Sequence, residues 1–389
     1  MNARMRRIAA AFDQTFGGRP DVWVRAPGRV DLMGSHTDYN LGYVLTLPIS
    51  RDTVIAARRR HDPIVRIRSL AIDEEDRFSL DCIEPAGIGN WANYVRGVAS
   101  VLREQGLRLI GFDGVLDTNV PIRSGLSSSA ALECAVAVLF RTLGDLHLDP
   151  VCMAQLCQRA ENEFAGVSCG ILDQYTSCAG REGCALLLDC RDLSSRVIEI
   201  APGLSIVICD TRSKRELAGS EYGTRRAQCE ESARIMGVAS LRDCTHGRLE
   251  SFSGALSDET FRRCRFIIEE NARVLALADA LPAGCRETIA DVCAESFRGA
   301  SELYEIVAPP MTAMMNAMMA APGVVGARQA GAGFGGCMVA FVETRSVGEF
   351  AKAVASHYRK ETGIEAQIYP VEAAPGASII DSVSLEVEA

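Results

Sequence analysis

Residues 130–143, AALECAVAVLFRTL, are apolar at nearly every position. An amphipathic helix needs cover along one stripe, whereas a helix that is apolar all round must be covered on every side. This chain therefore has to fold in layers with that helix inside them. Apolar runs at 22–24, 44–47, 54–57, 65–67 and 184–190 read as strands able to build those layers, and 91–102 and 152–164 have helical spacing. From Pro202 onward a second unit begins, with strands expected at 204–209, 326–330 and 337–342 and helices at 216–236, 258–277 and 310–321. Strands and helices do not alternate in regular βαβ units, so the expected class is α+β. At 389 residues the chain is long enough for two domains, placed at 1–202 and 203–389.

Charge and cysteine usage narrow the function classes. With 41 basic and 50 acidic residues the net charge is -9, which disfavours a nucleic-acid or anionic-membrane partner. Mean hydropathy near zero (+0.08) describes an ordinary soluble protein. The 15 cysteines include no CxxC pair, and the five histidines are dispersed, so no zinc-site spacing can be written. Reduced core thiols and a cytoplasmic location are expected. Residues 1–16 hold no apolar stretch of signal-peptide length, and the methionine-rich run at 311–325 is broken by Asn316 and Pro322, so no span is expected.

Three segments carry chemistry. Residues 121–130, PIRSGLSSSA, lead straight into the apolar helix. A helix N-terminus presents unpaired N–H groups and partial positive charge, and Gly125 with Ser127, Ser128 and Ser129 would let an anion approach the backbone. The plainer alternative is a serine N-cap. Residues 331–336, GAGFGG, satisfy the GxGxxG pattern, yet the following residues read as a strand. A dinucleotide fingerprint opens a helix, so a glycine turn between two strands is the better reading. Residues 25–43, RAPGRVDLMGSHTDYNLGY, read as a loop presenting polar side chains.

Together these segments resemble the three motifs of the GHMP small-molecule kinases, and 25–43 is similar to the galactokinase signature. Residues 91–98 (WANYVRGV), 160–174 (AENEFAGVSCGILDQ) and 215–226 (RELAGSEYGTRR) extend the likeness. The resemblance implies a two-domain GHMP fold with the active site in the interdomain cleft. It implies transfer of the γ-phosphate of ATP, with Mg²⁺, to the anomeric C1 hydroxyl of a hexose-like sugar. Carried over residue by residue, Asp173 and Arg29 become the catalytic pair, and an arginine beside a carboxylate favours its charged form. Trp91 is implied to stack on adenine, and Gly125, Leu126, Ser127, Ser128 and Ser129 to wrap the phosphates. Ser129 and Glu161 would hold Mg²⁺, with Ser128 and Glu163 as competitors. His36, Asp38, Gly170 and Tyr222 would contact the sugar.

Ser35 departs from the family pattern, which has glutamate there binding the C6 hydroxyl. Galactose is the first expectation. A sugar differing at C6, galacturonate or L-arabinose, is the alternative that Ser35 raises. A second departure is Val307-Ala308-Pro309-Pro310, where the family carries a Cys-Pro-Glu-Leu-Asp-like stretch. A rival of another class is a regulator that binds sugar and ATP without transfer, which the intact residues 125–130, Arg29 and Asp173 disfavour. An NAD-dependent oxidoreductase rests only on the glycine turn. A monomer is expected, with a dimer as the alternative.

Overall fold

The computed structural model describes residues 2–122, 124–213 and 218–380, with backbone alone at 218–220. The apolar run lies in a helix spanning Ser128–Gly144, and every residue from 130 to 140 is buried. Strands cover it on one side and the helices Ala92–Glu104, Pro150–Arg159 and Leu172–Ala179 on the others. The all-round apolar pattern thus has its physical counterpart: from 130 to 140 no face of this helix meets water.

The first sheet is built from β1 (Val22–Met33), β2 (Tyr43–Arg59), β3 (Ile64–Ser69), β4 (Glu74–Ser79), β5 (Phe112–Thr118), β6 (Cys184–Asp189) and β7 (Ser195–Glu199). The second contains β8 (Leu204–Asp210), β9 (Val324–Gln329), β10 (Cys337–Glu343) and β11 (Gln367–Val371). A last short strand, β12 (Ser378–Ile379), returns to the first sheet and pairs with β1. Among the described residues the strand orders are β12-β1-β2-β5-β3-β4, with β6 on β2 and β7 on β6, and β11-β8-β10-β9. Pairing is antiparallel except between β3 and β5. Strands and helices are segregated, as the α+β expectation required.

Alternation along β8 joins the two sheets. Ile206 and Ile208 face a core that also contains Val30, Leu32, Leu45 and Leu47 of the first sheet and Val274 and Leu277 of the helix Asp258–Ala283. Val207 and Cys209 point the other way, onto Met311, Met314, Phe350 and Val354 of the helices Pro309–Met319 and Val347–Thr362. One shared core therefore holds the two halves, and the cleft between them stays in register.

Several expectations are corrected. Runs 44–47 and 54–57 are a single 17-residue strand, β2, which pairs with β6 at one end and β5 at the other. A register shift falls opposite Gly28, where Pro27 pairs Asp52 but Arg29 pairs Pro48. Nor is 25–43 wholly a loop. Arg25 to Met33 are strand residues, and only Gly34 onward turns, through positive-φ His36 and a 3-10 turn at Asp38–Asn40. The 216–236 helix is described from Ala218 to Ile235; Glu216, Arg215 and Leu217 lie outside the described residues, as do Arg123 and the last residues of the 203–389 unit, 381–389.

Candidate active site

A cavity of about 640 Å³ is lined by residues from all three motifs. A bulge at Gly28 positions its reacting end. A Cβ there would fall 2.6 Å from the carbonyl oxygen of Leu126, so only glycine lets β1 lie this close to the 125–129 segment. The next residue, Arg29, then donates from its backbone N–H to that same carbonyl at 3.1 Å. Its guanidinium spans the junction: Nη1 donates to Gly125 O at 2.7 Å, and Nε to Asp173 Oδ1 at 2.7 Å, with Nη2 on the same oxygen. The other oxygen of Asp173, Oδ2, accepts from Ser127 Oγ at 2.5 Å. Both carboxylate oxygens of Asp173 are thus held, and its side chain keeps 18% exposure toward the cavity.

Two residues of the 125–129 segment have further contacts of their own. Ser127 occupies the N-cap position of the apolar helix but makes no cap hydrogen bond; it is in the left-handed region at φ 58 and its hydroxyl serves Asp173. The side chain of Leu126 is fully buried in the shared core, so only its backbone faces the loop. Ser128 and Ser129 line the cavity and also a second one, of about 790 Å³, whose walls include Trp91, Asn90 and Tyr94. The two cavities meet at these serines. Asn93 fastens the wall ahead of Trp91, accepting from Ala86 N at 2.8 Å and donating to Gly87 O at 2.7 Å.

Glu161 sits in a π-helical turn, Ala160–Ala165, that ends the helix Pro150–Arg159. Such turns re-aim a side chain out of α-helical register. Glu161 is buried in the cavity wall, accepts from Gln174 Nε2 at 2.6 Å and is hydrogen-bonded by Ser129. Burial pushes its carboxyl up to about 7, and the Asp173 carboxylate adds to the shift. Glu163 is exposed and pairs with Arg159 at 2.8 Å, away from the cavity. A buried carboxylate beside a serine hydroxyl is a donor set of hard oxygens that fits a divalent cation.

At the opposite end His36, Asp38, Gly170 and Tyr222 come together. A Cβ on Gly170 would lie 1.6 Å from Asp38 Oδ2, so the glycine is what admits the carboxylate. Oδ2 of Asp38 has no hydrogen-bond partner among the described residues, and burial, helped by Asp173 and Asp31, raises this carboxyl to about 7. His36 is more committed than its motif position suggests. Its Nε2 lies 3.0 Å from Ala332 O and its Nδ1 2.9 Å from the hydroxyl of Tyr39. The carbonyl can only accept, so Nε2 carries the hydrogen and Nδ1 accepts from Tyr39. Burial lowers the ring to about 4, which keeps it neutral. Ala332 belongs to the 331–336 turn, which joins antiparallel β9 to β10; its glycines at 331, 333, 335 and 336 all have positive φ.

Ser35 does not stand free. Its hydroxyl donates to Asp31 Oδ2 at 2.5 Å and accepts from Arg328 Nη2 at 3.1 Å. Arg328 is fully buried and also reaches Glu270 Oε1 at 3.0 Å and Ser296 Oγ at 3.0 Å. Asp31, Arg328, Glu270 and Ser296 escaped the sequence reading. For Asp31 a signal existed, since residues i and i+2 of a strand share a face and Asp31 is two beyond Arg29.

Comparisons with known proteins give the family. Residues 10–59 match the galactokinase galactose-binding signature, 93–181 the GHMP kinases N terminal domain and 277–360 the GHMP kinases C terminal family. The chain is 43% identical over 378 residues to a galactokinase of Chloroflexus aggregans, covering 96% of this chain and 97% of that protein. It is 41% identical over 370 residues to a galactokinase of a Roseiflexus species, covering 94% of each. The structure of Lactococcus lactis galactokinase complexed with galactose superposes with a TM-score of 0.92 at 30% identity, covering 97% of this chain and 100% of that one. The chain therefore belongs to the GHMP kinases, in their galactokinase group, and is a phosphotransferase with an alcohol group as acceptor.

Proposed function

We propose that this kinase transfers the γ-phosphoryl group of ATP to the anomeric C1 hydroxyl of galactose. The observation that carries the reading is the fixed pair Arg29 and Asp173 at the mouth of the 125–129 segment. Asp173, oriented by Arg29 and Ser127, accepts the hydrogen bond of the attacking hydroxyl, and Arg29 faces the charge of the group in transfer. Phosphoryl transfer asks mainly for positioning and charge stabilisation, which a rigid pair supplies. Backbone N–H groups at the start of the Ser128–Gly144 helix receive the phosphates, and Trp91 receives the adenine ring. Mg²⁺, when bound by Ser129 and Glu161, supplies charge neutralisation between the phosphates. Asp38 and Tyr222 contact the sugar, Gly170 makes room for Asp38, and His36 contributes its ring face, since both nitrogens are engaged.

Two units, 1–202 and 203–389, flank the cleft in this reading, with β12 returning to the first sheet. A monomeric cytoplasmic enzyme completes it, consistent with cysteines that are all free. Galacturonate or L-arabinose is the second reading, favoured by Ser35. An ADP-release assay over galactose, galacturonate and L-arabinose tests the proposal; binding of ATP and sugar without turnover of any sugar would instead establish the regulator.

A further inference from the structure

The wall of the cavity near Ser35 holds a carboxylate that the motif pattern does not announce. Asp31 is 1% exposed and lines the cavity together with Arg29, Ser35 and Asp38. Its two oxygens differ sharply. Oδ2 accepts the Ser35 hydroxyl, whereas Oδ1 has no hydrogen-bond partner among the described residues, with Arg328 Nη1 at 3.9 Å. A buried carboxylate oxygen without a donor is costly, and native proteins keep few of them. Asp31 as a residue lines the cavity, and a ligand donor reaching its carboxyl from there would satisfy such an atom. Asp38 Oδ2 is in the same condition in the same cavity.

Ser35 is unable to play that part itself. A hydroxyl has one hydrogen to donate, and Ser35 gives it to Asp31 while accepting from Arg328. Its role is to hold the Asp31 carboxylate in one orientation. Arg328 holds Ser35 in turn, and is anchored by Leu32 O at 3.1 Å, Glu270 and Ser296. Glu270 is ion-paired to both Arg328 and Arg273, and its carboxyl lies below its usual range mainly through those arginines, against the upward push of burial. These partners come from β1, β9 and two helices of the second half, Asp258–Ala283 and Arg286–Glu302. Such a support makes the direction of Oδ1 a fixed property of the fold.

Position along β1 says which part of the substrate this oxygen meets. Arg29 and Asp31 pair in regular register with Pro48 and Thr46, so they share a face, roughly 7 Å apart along the strand. Arg29 marks the reacting end. A hexopyranose whose C1 hydroxyl lies at Asp173 spans that interval and brings its far edge, carbons 4 to 6, to Asp31.

We infer that Asp31 is a specificity-determining residue, accepting through Oδ1 a hydroxyl from the sugar edge remote from the transferred phosphoryl group, and that Ser35 and Arg328 are its positioning residues. The inference rests on the sugar-kinase reading above and adds the residue that reads the sugar's far edge. It also distinguishes the candidate sugars: an acceptor oxygen in this wall matches a hydroxyl donor, which the C6 carboxylate of galacturonate lacks.

Steady-state ADP release with galactose, 2-deoxygalactose, 4-deoxygalactose and 6-deoxygalactose, in the wild type and in Asp31→Ala and Asp31→Asn, tests it. The wild type should lose about tenfold or more in kcat/KM, chiefly through KM, on removal of either the 4- or the 6-hydroxyl. Asp31→Ala should lower kcat/KM for galactose and bring that one deoxy-sugar ratio close to 1, leaving the 2-deoxy ratio unchanged; Asp31→Asn should fall between. Ratios between substrates are unaffected by a smaller folded fraction, so instability of a variant does not mask the result. Ser35→Ala should narrow the same ratio in part. Turnover of galactose with deoxy-sugar ratios identical in wild type and variants overturns the role of Asp31. Absence of turnover with every sugar in the wild type overturns the sugar-kinase reading instead.

Discussion

The two ends of the active-site cavity are built on opposite principles. At the reacting end the catalytic pair is held within the protein: Asp173 on both oxygens, and Arg29 on the aspartate and the Gly125 carbonyl. At the recognition end two buried carboxylates each keep an oxygen without a partner among the described residues, Asp31 Oδ1 and Asp38 Oδ2. The difference tracks what each end must do. Groups that stabilise a transition state work best when no reorganisation is needed at the moment of reaction, whereas groups that select a substrate must leave hydrogen-bonding capacity for it. An analogue that fails to fill such capacity leaves a buried acceptor bare, and is rejected for that reason.

Breaking the reacting end has the largest effect. Asp173→Asn should reduce kcat by about a thousandfold while ATP binding, followed by calorimetry, stays near normal. Equal losses in ATP affinity would place Asp173 in nucleotide binding instead.

Next in size is a substitution that overloads the recognition end. Ser35→Glu would restore the family residue, yet it sets a second buried carboxylate against Asp31, 2.5 Å from the present hydroxyl. Alone it should lower the melting temperature by roughly 5 °C or more. Combined with Asp31→Asn it should recover most of that loss, because the pair then holds one carboxyl group again. Additive losses in the double variant would show that the two positions are not coupled.

A pH profile sharpens the contrast further. Burial raises the Asp38 carboxyl to about 7, so it is protonated below that pH and becomes a full acceptor above it. The KM for sugar should therefore fall as pH rises from 6 to 8, by about threefold to tenfold, and Asp38→Asn should flatten the profile. The stability sign runs the other way. A folded-state value above the unfolded one favours folding fully below about 4, and that contribution is lost as pH rises through about 7. Melting temperature measured for wild type against Asp38→Asn should show a gap that widens in favour of the variant between about pH 4 and 7 and stays level above that.

Smallest is Ser127→Ala, which frees one oxygen of Asp173 without touching the Arg29 pair. A loss of about fivefold to tenfold in kcat with little change in the KM for ATP would confirm that Ser127 positions the aspartate. A rise in that KM alone would return Ser127 to the phosphates.

Much of this was legible in the sequence where chemistry and chain order coincide. The helix-leading serines, the Arg29 segment and the glycine turn are contiguous, and each sits at the cavity. The apolar run 130–143 foretold a helix covered on all sides. Elements with mixed patterns were not read: the helix Ala3–Phe16, strand β5, and the helices Arg286–Glu302 and Val347–Thr362, whose apolar faces are interleaved with charge. The bond from Ser127 to Asp173 was not legible, because only the fold brings together residues 46 apart in the chain. Arg328 and Glu270 were invisible for a different reason. They are separated from Ser35 by 293 and 235 residues of chain, and an arginine in a strand is ordinarily solvated, whereas Arg328 is fully buried.

The central claim, that the fixed Arg29–Asp173 pair directs phosphoryl transfer to the anomeric hydroxyl, is tested most directly by phosphorus-31 NMR of the product formed from galactose and Mg·ATP. A single sugar phosphate whose resonance couples to the anomeric proton is predicted, and it should be absent with Asp173→Asn. A phosphate coupled to the C6 protons, or ADP formation without any sugar phosphate, would contradict the account.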